Sequence, residues 1–579
     1  MKKILFLIMA LIASSPLATA KDKTVELCIL ETSDVHGSFF PYDFINRTPC
    51  KGSLARLSTY VKRERERFGD NLLLLDNGDI LQGQPTVYYY NFIDTAATHV
   101  TAAMMNYLRY DAGNMGNHDM ETGHAVYDRW IRQCNFPILG ANIIDTASGK
   151  PYLPPYSVFN RDGVKVAVIG LLTPSIPAWL PENLWAGLRF DDIEESARKW
   201  VKTVREKENP DVVVAIIHSG RDHTHTTGNW VENASQLVAE RVPGIDIVLF
   251  GHDHQFFCDS VKNADGNEVW MLNPANKAEK VASAHVSLTL RKGKVVKKEI
   301  SGRLVDISAL PVDEDFMAEF KPQYDTVDKF VSQKIGSISK TISTRNAFFG
   351  PSEFIDLTHS LQLAISGAEV SMAAPLSFDS SIKEGDILVS DMFKLYKYEN
   401  MLYTMRLSGR EIKNYLEMSY DLWINRMTNA DDHLLLLKEV PGNGDDGARA
   451  LFQNFSYNFD SAAGIRYTVD VTKPRGEKIN ILSMADGSAF DMDKDYSVAV
   501  NSYRGNGGGG LLTEGAGIPV EKLNDRIIKA TDKDLRFYLM EYIKKTGAIC
   551  PTTLDLWKFI PEEWTVPAAK RDYKLLFKD

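Results

Sequence analysis

The chain has 579 residues, 44% hydrophobic and 25% charged, with a formal net charge of −10. That length is too great for one core and the composition is normal for soluble protein, so two or more domains are expected. The acidic balance argues against a nucleic-acid polymer as partner, because no broad basic surface is implied; it leaves small phosphates open.

The first residues, MKKILFLIMALIASSPLATA, join two lysines, an apolar run and Ala18-Thr19-Ala20. This is the pattern of a secretory signal. Residues 1–20 are therefore read as a signal peptide, with a mature periplasmic or secreted protein starting at Lys21. No later stretch reaches the roughly 18 apolar residues of a membrane span, so no membrane association is expected after cleavage. The five cysteines, Cys28, Cys50, Cys134, Cys258 and Cys550, leave one or two disulfides open, with at least one thiol left over. None is spaced CxxC, and burial as small hydrophobes is the preferred reading for most.

From Thr24 to about Arg303 apolar strands alternate with amphipathic helices. VELCIL, NLLLLD, VKVAVIGLL, DVVVAIIH and IDIVLFG read as strands; SLARLSTYVKRERERF and DIEESARKWVKTVREKEN read as helices, KRERER being a solvated face. Nearly continuous apolar strands imply sheets covered on both sides, so residues 21–310 form an α/β domain. Residues 311–345 read as a charged connecting helix over about 312–339 and a linker near TISTRNAFFGPSE, the place for a hinge. Residues 346–579 mix helices (FIDLTHSLQLAI, GREIKNYLEMSY) with strands (NMLYTMRL, GIRYTVDVT, KINILSM, DYSVAVNSY), an α+β pattern.

Polar residues cluster where the strands of the first half end. Asp34 and His36 follow VELCIL, Asp79 follows NLLLLD, and Asn117 and His118 stand in DAGNMGNHDMETG. His218 closes DVVVAIIH, and His252 and His254 follow IDIVLFG. Alone, each is an ordinary turn. In layered α/β folds, however, strand carboxyl ends share one crevice, and this set of carboxylates, imidazoles and an amide suits two transition-type divalent metals better than calcium. The adjacent Gly37, Gly78, Gly116 and Gly251 let the backbone turn sharply there. The second H-x-H, His223 and His225 in RDHTHTTG, reads as a solvated loop.

The order D-x-H, G-D, G-N-H-[DE], H, G-H-x-H resembles the calcineurin-like metallophosphoesterases. The resemblance implies a layered α/β-sandwich and two divalent metal ions (Zn, Mn, Co or Fe). By motif, Asp34, His36, Asp79 and His254 would hold one ion, and Asp79, Asn117, His218 and His252 the other, with Asp79 bridging. His118 would face the phosphoryl group while metal-generated hydroxide attacks phosphorus in line. The family usually reads G-N-H-E, so Asp119 is a departure; motif offset favours Glu121 as the carboxylate orienting His118, with Asp119 the alternative.

KLYKYENMLYTMRLSGREIKNYLE and VAVNSYRGNGGGGLL resemble the 5′-nucleotidase C-terminal domain, in which two aromatic rings sandwich the base. The matching positions are Tyr398 and Tyr503, with Asn400 and Gly464 at positions approaching the nucleoside. The N-G-G-x-[IV]-R of many 5′-nucleotidases is absent from AAPLSFDSSIKEGDI, and Gly509 stands where many carry Asp. AAPLSF, YNFDSAAGIRYTVDVTKP and NSYRGNGGGG resemble instead the 2′,3′-cyclic-nucleotide 2′-phosphodiesterase/3′-nucleotidase branch. GNGGGG lacks the Gly-Lys-Ser/Thr of a nucleoside-triphosphate loop and reads as a close approach to a bound nucleoside. A monomeric hydrolase of nucleotides is thereby implied. The alternatives are a 5′-nucleotidase or nucleotide-sugar hydrolase with the same centre, and a non-catalytic nucleotide- or metal-binding protein.

Overall fold

A computed structural model describes residues 22–222, 226–227, 230–440 and 449–577. The expected signal at 1–20 and the pair His223 and His225 lie outside the described residues.

The apolar runs of the first half assemble into two six-stranded sheets. One runs Lys294–Asp306, Lys280–Arg291, Lys23–Thr32, Leu72–Asp76, Ala112–Asn114, Ile138–Leu139; the other runs Phe256–Lys262, Glu268–Pro274, Ile247–Phe250, Val212–His218, Val164–Leu172, Tyr156–Arg161. Neighbouring central strands are parallel, and their alternation sorts two buried faces. Val25, Leu27 and Ile29 meet Val166, Val168, Val214 and Ile216 between the sheets. Cys28 and Leu30 point the other way, beneath the helices Leu54–Phe68, Val100–Leu108 and His124–Gln133. On the far side Ile169, Val213 and Ile217 pack beneath Ile193–Lys207 and Ser235–Arg241. The layers are thus helix, sheet, sheet, helix, with every parallel strand ending on the same rim.

The second half is built on a five-stranded sheet in the order Ser461–Ala463, Val370–Ala373, Asp495–Asn501, Met401–Ser408, Ile527–Asp534. Helix Gly409–Trp423 joins it to a three-stranded sheet, burying Tyr420 and Trp423 against Trp557 and Phe559 there. The expected connecting helix is shorter than read. Helices Glu314–Glu319 and Lys321–Val331 give way to a strand, Lys334–Ile338, paired with Gly385–Leu388 and Ala548–Ile549. Ile335 and Ile338 are buried, and Gly336 sits so close to helix Leu535–Thr546 that a Cβ would lie 2.7 Å from Ile543. The expected linker is also part of a core: Phe348 is fully buried, with its ring against Phe452, Phe459 and Phe577. The polar letters around it hid that anchor.

All five cysteines are free thiols; Cys28 is buried, Cys550 is exposed and the others are half-buried, so the small-hydrophobe reading holds fully only for Cys28. Among the described residues no helix is long and apolar enough to cross a membrane.

Candidate metal centre

Five strand ends meet on the rim. Asp34 and His36 follow Lys23–Thr32, Asp79 follows Leu72–Asp76, and Asn117 and His118 follow Ala112–Asn114. His218 ends its own strand, and His252 and His254 follow Ile247–Phe250. Two groups of ligand-type atoms form, Asp34 with His36 and His254, and Asp79 with His218 and His252, each within 4.8 Å.

In the first group His36 Nε2 lies 3.1 Å from His254 Nε2, which in turn is 3.2 Å from Asp34 Oδ1. His36 Nδ1 lies 3.1 Å from the Gln82 carbonyl, which can only accept, so Nδ1 carries the proton and Nε2 presents a lone pair. In the second group His218 Nε2 is 3.2 Å from Asp79 Oδ2 and 3.1 Å from Asn117 Oδ1, while His218 Nδ1 donates to the Asn77 carbonyl at 2.7 Å. His252 Nδ1 is 2.9 Å from Asn117 Oδ1, and its Nε2 faces Glu232 Oε1 at 3.2 Å. With neutral rings protonated on their outward nitrogens, acceptors converge on acceptors at both places, an arrangement that a cation at each resolves; without one, a proton on His218 does so at the second. Nitrogen, carboxylate and amide donors of this kind fit divalent transition metals.

Charge gives the same answer. Burial opposes a charge on His218, yet Asp79 and Asp34 raise its pKa to about 10. Burial and the neighbouring His254 depress His36 to about 3. Asp79, despite full burial, is held well below the ordinary carboxylate range by His218 and His118. Two buried carboxylates thus draw positive charge into a pocket of histidines.

The backbone is bent to make this meeting. Asp34, His36, Asp79, His252 and His254 have φ of 51°, 49°, 56°, 77° and 55°, a left-handed conformation that costs a non-glycine residue about 1–3 kcal/mol where it is strained. The ligands themselves make the turns, and the role expected of the neighbouring glycines holds at Gly37 and Gly78 only. Gly116 and Gly251 have no positive φ; they clear space, since a Cβ would lie 2.1 Å from Asp79 Oδ1 and 1.9 Å from Ser33 Oγ respectively.

Asp119 and Glu121 divide the work between them. Asp119 is fully buried and accepts from the backbone N–H groups of Asp79, Ile80, Leu81 and Gly116 at 2.8–2.9 Å, clamping the Asp79 turn. Glu121 Oε2 lies 2.6 Å from His118 Nδ1. Burial disfavours charge on His118, but Asp79 and then Glu121 outweigh it and lift its pKa to about 9.

The second domain reaches the same pocket. Tyr398 lies parallel to His118, centroids 6.3 Å apart and planes 5° apart. Tyr503 is half-buried nearby, its ring braced by Gly508, where a Cβ would lie 2.5 Å from Tyr503 Cε2. Gly509 has φ of 73° and a Cβ there would be 2.3 Å from Arg504 Nη1, so an aspartate at that position would have to displace the Arg504 side chain. Asn400 lies at the base of the Tyr398 loop, where its Oδ1 accepts from Tyr396 Oη at 3.3 Å. Gly464 is not brought to this pocket. It lies beneath Glu369, whose carbonyl would be 2.1 Å from a Cβ, at the end of Val370–Ala373 away from Tyr503. Its φ of 92° and that contact account for the glycine.

Sequence reasoning passed over four neighbours. Tyr457 meets Tyr503 edge-on at 6.4 Å, and Trp179 stacks on His252 at 5.6 Å. Glu232 backs His252, and Arg504, fully buried, is paired with Asp460 at 2.9 Å. Arg504 and Tyr457 had a local signal, the one beside Tyr503 and the other at the head of YNFDSAAGIRYTVDVTKP.

Residues 28–256 match the family described as calcineurin-like phosphoesterase, and residues 334–514 match the 5′-nucleotidase C-terminal domain. The chain thus carries a calcineurin-like phosphoesterase domain followed by a 5′-nucleotidase C-terminal domain. It is a hydrolase of phosphate ester bonds, and the calcineurin-like fold implies divalent metal ions. Among curated proteins this phosphoesterase is 28% identical to the 2′,3′-cyclic-nucleotide 2′-phosphodiesterase/3′-nucleotidase of Salmonella typhimurium, over 95% of this chain and 91% of that one. It is also 28% identical to the trifunctional nucleotide phosphoesterase protein YfkN of Bacillus subtilis, over 96% of this chain; it spans only 41% of that longer relative. A Staphylococcus aureus structure solved as a candidate 5′-nucleotidase shares the fold, with a TM-score of 0.74 and 21% identity, over 92% of this chain and 99% of that one.

Proposed function

We propose that this phosphoesterase acts outside the cytoplasm, as a monomer, on 2′,3′-cyclic nucleotides, opening them to 3′-nucleotides and then releasing nucleoside and phosphate. The observation that carries this reading is the parallel pair His118 and Tyr398, which sets an aromatic platform of the second domain against the metal-ligand rim of the first. The similarity to the Salmonella typhimurium phosphodiesterase/3′-nucleotidase over nearly the full length of both chains supports it.

Asp34, His36, Asp79 and His254 would hold one divalent ion (Zn, Mn, Co or Fe), and Asp79, Asn117, His218 and His252 a second. When bound, such ions supply Lewis-acid activation of water and of the phosphate. The carboxylate of Glu121 fixes Nδ1 of His118, leaving Nε2 to donate to a phosphoryl oxygen or to the departing ribose oxygen. A histidine whose Nδ1 is fixed by a buried carboxylate is suited to both tasks. Tyr398 and Tyr503 would hold the base from its two faces, each stack being worth about 1–3 kcal/mol and tolerant of any base. Asn400 keeps the Tyr398 loop in shape from within.

Phosphate release from 2′,3′-cAMP, 3′-AMP and 5′-AMP, with and without chelator, tests the proposal. Turnover of the first two, abolished by chelator, is the expected result. A strong preference for 5′-AMP overturns it in favour of a 5′-nucleotidase or nucleotide-sugar hydrolase. Metal uptake without phosphate release from any ester would leave only a binding protein.

A further inference from the structure

The Tyr398 loop is gripped from a segment to which no motif pointed. Arg536, in helix Leu535–Thr546, is fully buried and lies outside both matched family segments. Its Nε donates to the Tyr396 carbonyl at 3.0 Å, its Nη2 to the Lys397 carbonyl at 2.7 Å and its Nη1 to Glu399 Oε1 at 2.9 Å. The adjoining Leu535 N–H donates to the Asn400 carbonyl at 2.8 Å. Backbone or side chain is therefore held on both sides of Tyr398, while the Tyr398 side chain itself is left free of this grip.

The same guanidinium packs against two rings that also touch each other. Phe393 lies 4.1 Å from Arg536 Cζ and Tyr88, from the first domain, 4.9 Å from it, the two rings meeting edge-on at 5.3 Å. Tyr88 Oη also donates to Asp534 Oδ2 at 3.2 Å. A planar fork with five donors and no acceptor can bind three acceptors in fixed directions while stacking on aromatic faces, and an ammonium cannot. Burying such a group is costly without an anion, which Glu399 supplies.

We propose that Arg536 is the positioning residue of the nucleoside platform: it fixes the backbone on both sides of Tyr398, holds that ring parallel to His118, and so sets nucleotide affinity without touching substrate or metal. The proposal rests on the reading of Tyr398 as a base platform. Arg536 also offsets the Glu399 carboxylate, whose Oε2 is buried without a partner.

The test is a double-mutant cycle in KM and kcat for 2′,3′-cAMP, using the full-length chain loaded with Mn²⁺. Tyr398→Ala is expected to raise KM about ten-fold. Arg536→Lys is expected to raise KM by a similar factor with kcat and bound metal unchanged, and to add nothing further in the Tyr398→Ala background. If Arg536→Lys does not fold, Arg536→Met with Glu399→Met removes both charges together and takes its place in the cycle. An unchanged KM in the Arg536 variant overturns the proposal, as does an equal rise with and without Tyr398. If Tyr398→Ala itself leaves KM unchanged, the platform reading falls and this proposal with it; a normal Tyr398 effect beside a silent Arg536 sinks this proposal alone.

Discussion

The two halves of the molecule build their share of the pocket in opposite ways. In the first, each metal-type ligand stands within a few residues of the end of a buried parallel strand, and the fold itself delivers it to the rim. In the second, the tyrosines depend on partners remote in sequence. Arg504 reaches back to Asp460, and Arg536 reaches back to residues 396–399. A site made by strand geometry is compact in motif, whereas one made by tertiary ion pairs is scattered.

The sharpest way to break this comparison is His118→Ala. If His118 belongs to the chemistry and not to the ligand set, kcat on 2′,3′-cAMP falls about 10²–10⁴-fold while calorimetry still finds two Mn²⁺ per chain. Loss of metal together with activity would show that the first half does not separate the two roles. Next in size is Glu232→Gln, which weakens the partner of His252 Nε2. Metal affinity, read by calorimetric titration, should drop about 10–100-fold; no change would mean that strand geometry alone orients the ligand.

Acid stability compares the halves directly. Burial depresses His99 in the first domain and His359 in the second to about 3. Folded pKa values below the ordinary 6.5 mean that the unfolded chain binds more protons between those limits. The stability from keeping each ring neutral is complete above pH 6.5 and lost as pH falls toward 3. At pH 5 each should cost about 2 kcal/mol relative to pH 7.5, read by denaturant unfolding, and His359→Gln should flatten the loss in the second domain only. The smallest effect is expected from Tyr503→Ala, a KM rise of about ten-fold with metal content unchanged; a fall in metal content would join what the comparison keeps apart.

Legibility in the sequence followed the same division. The strand runs and their polar ends could be read because period and position are local properties, and the two ligand groups fell where those ends pointed. The left-handed backbone of five ligands carried no signal, because Asp and His do not announce positive φ as glycine does. Asp119 could be seen beside His118, but its service to the Asp79 turn is a contact across 40 residues. KIGSI and Phe348 were misjudged because short apolar pieces amid polar letters look like connection until the core they enter is known. Gly464 was placed in the pocket by pattern alone, whereas its backbone angle and the Glu369 carbonyl explain it locally.

All the ligand-type side chains of the rim precede residue 255, and the tyrosines facing them follow residue 395. On the proposed function, bond breaking and substrate choice are therefore encoded on separate lengths of chain. Variation in the later length can redirect which ester is presented while the earlier length goes on cleaving by an unaltered route, so one hydrolytic engine can be refitted for many nucleotides.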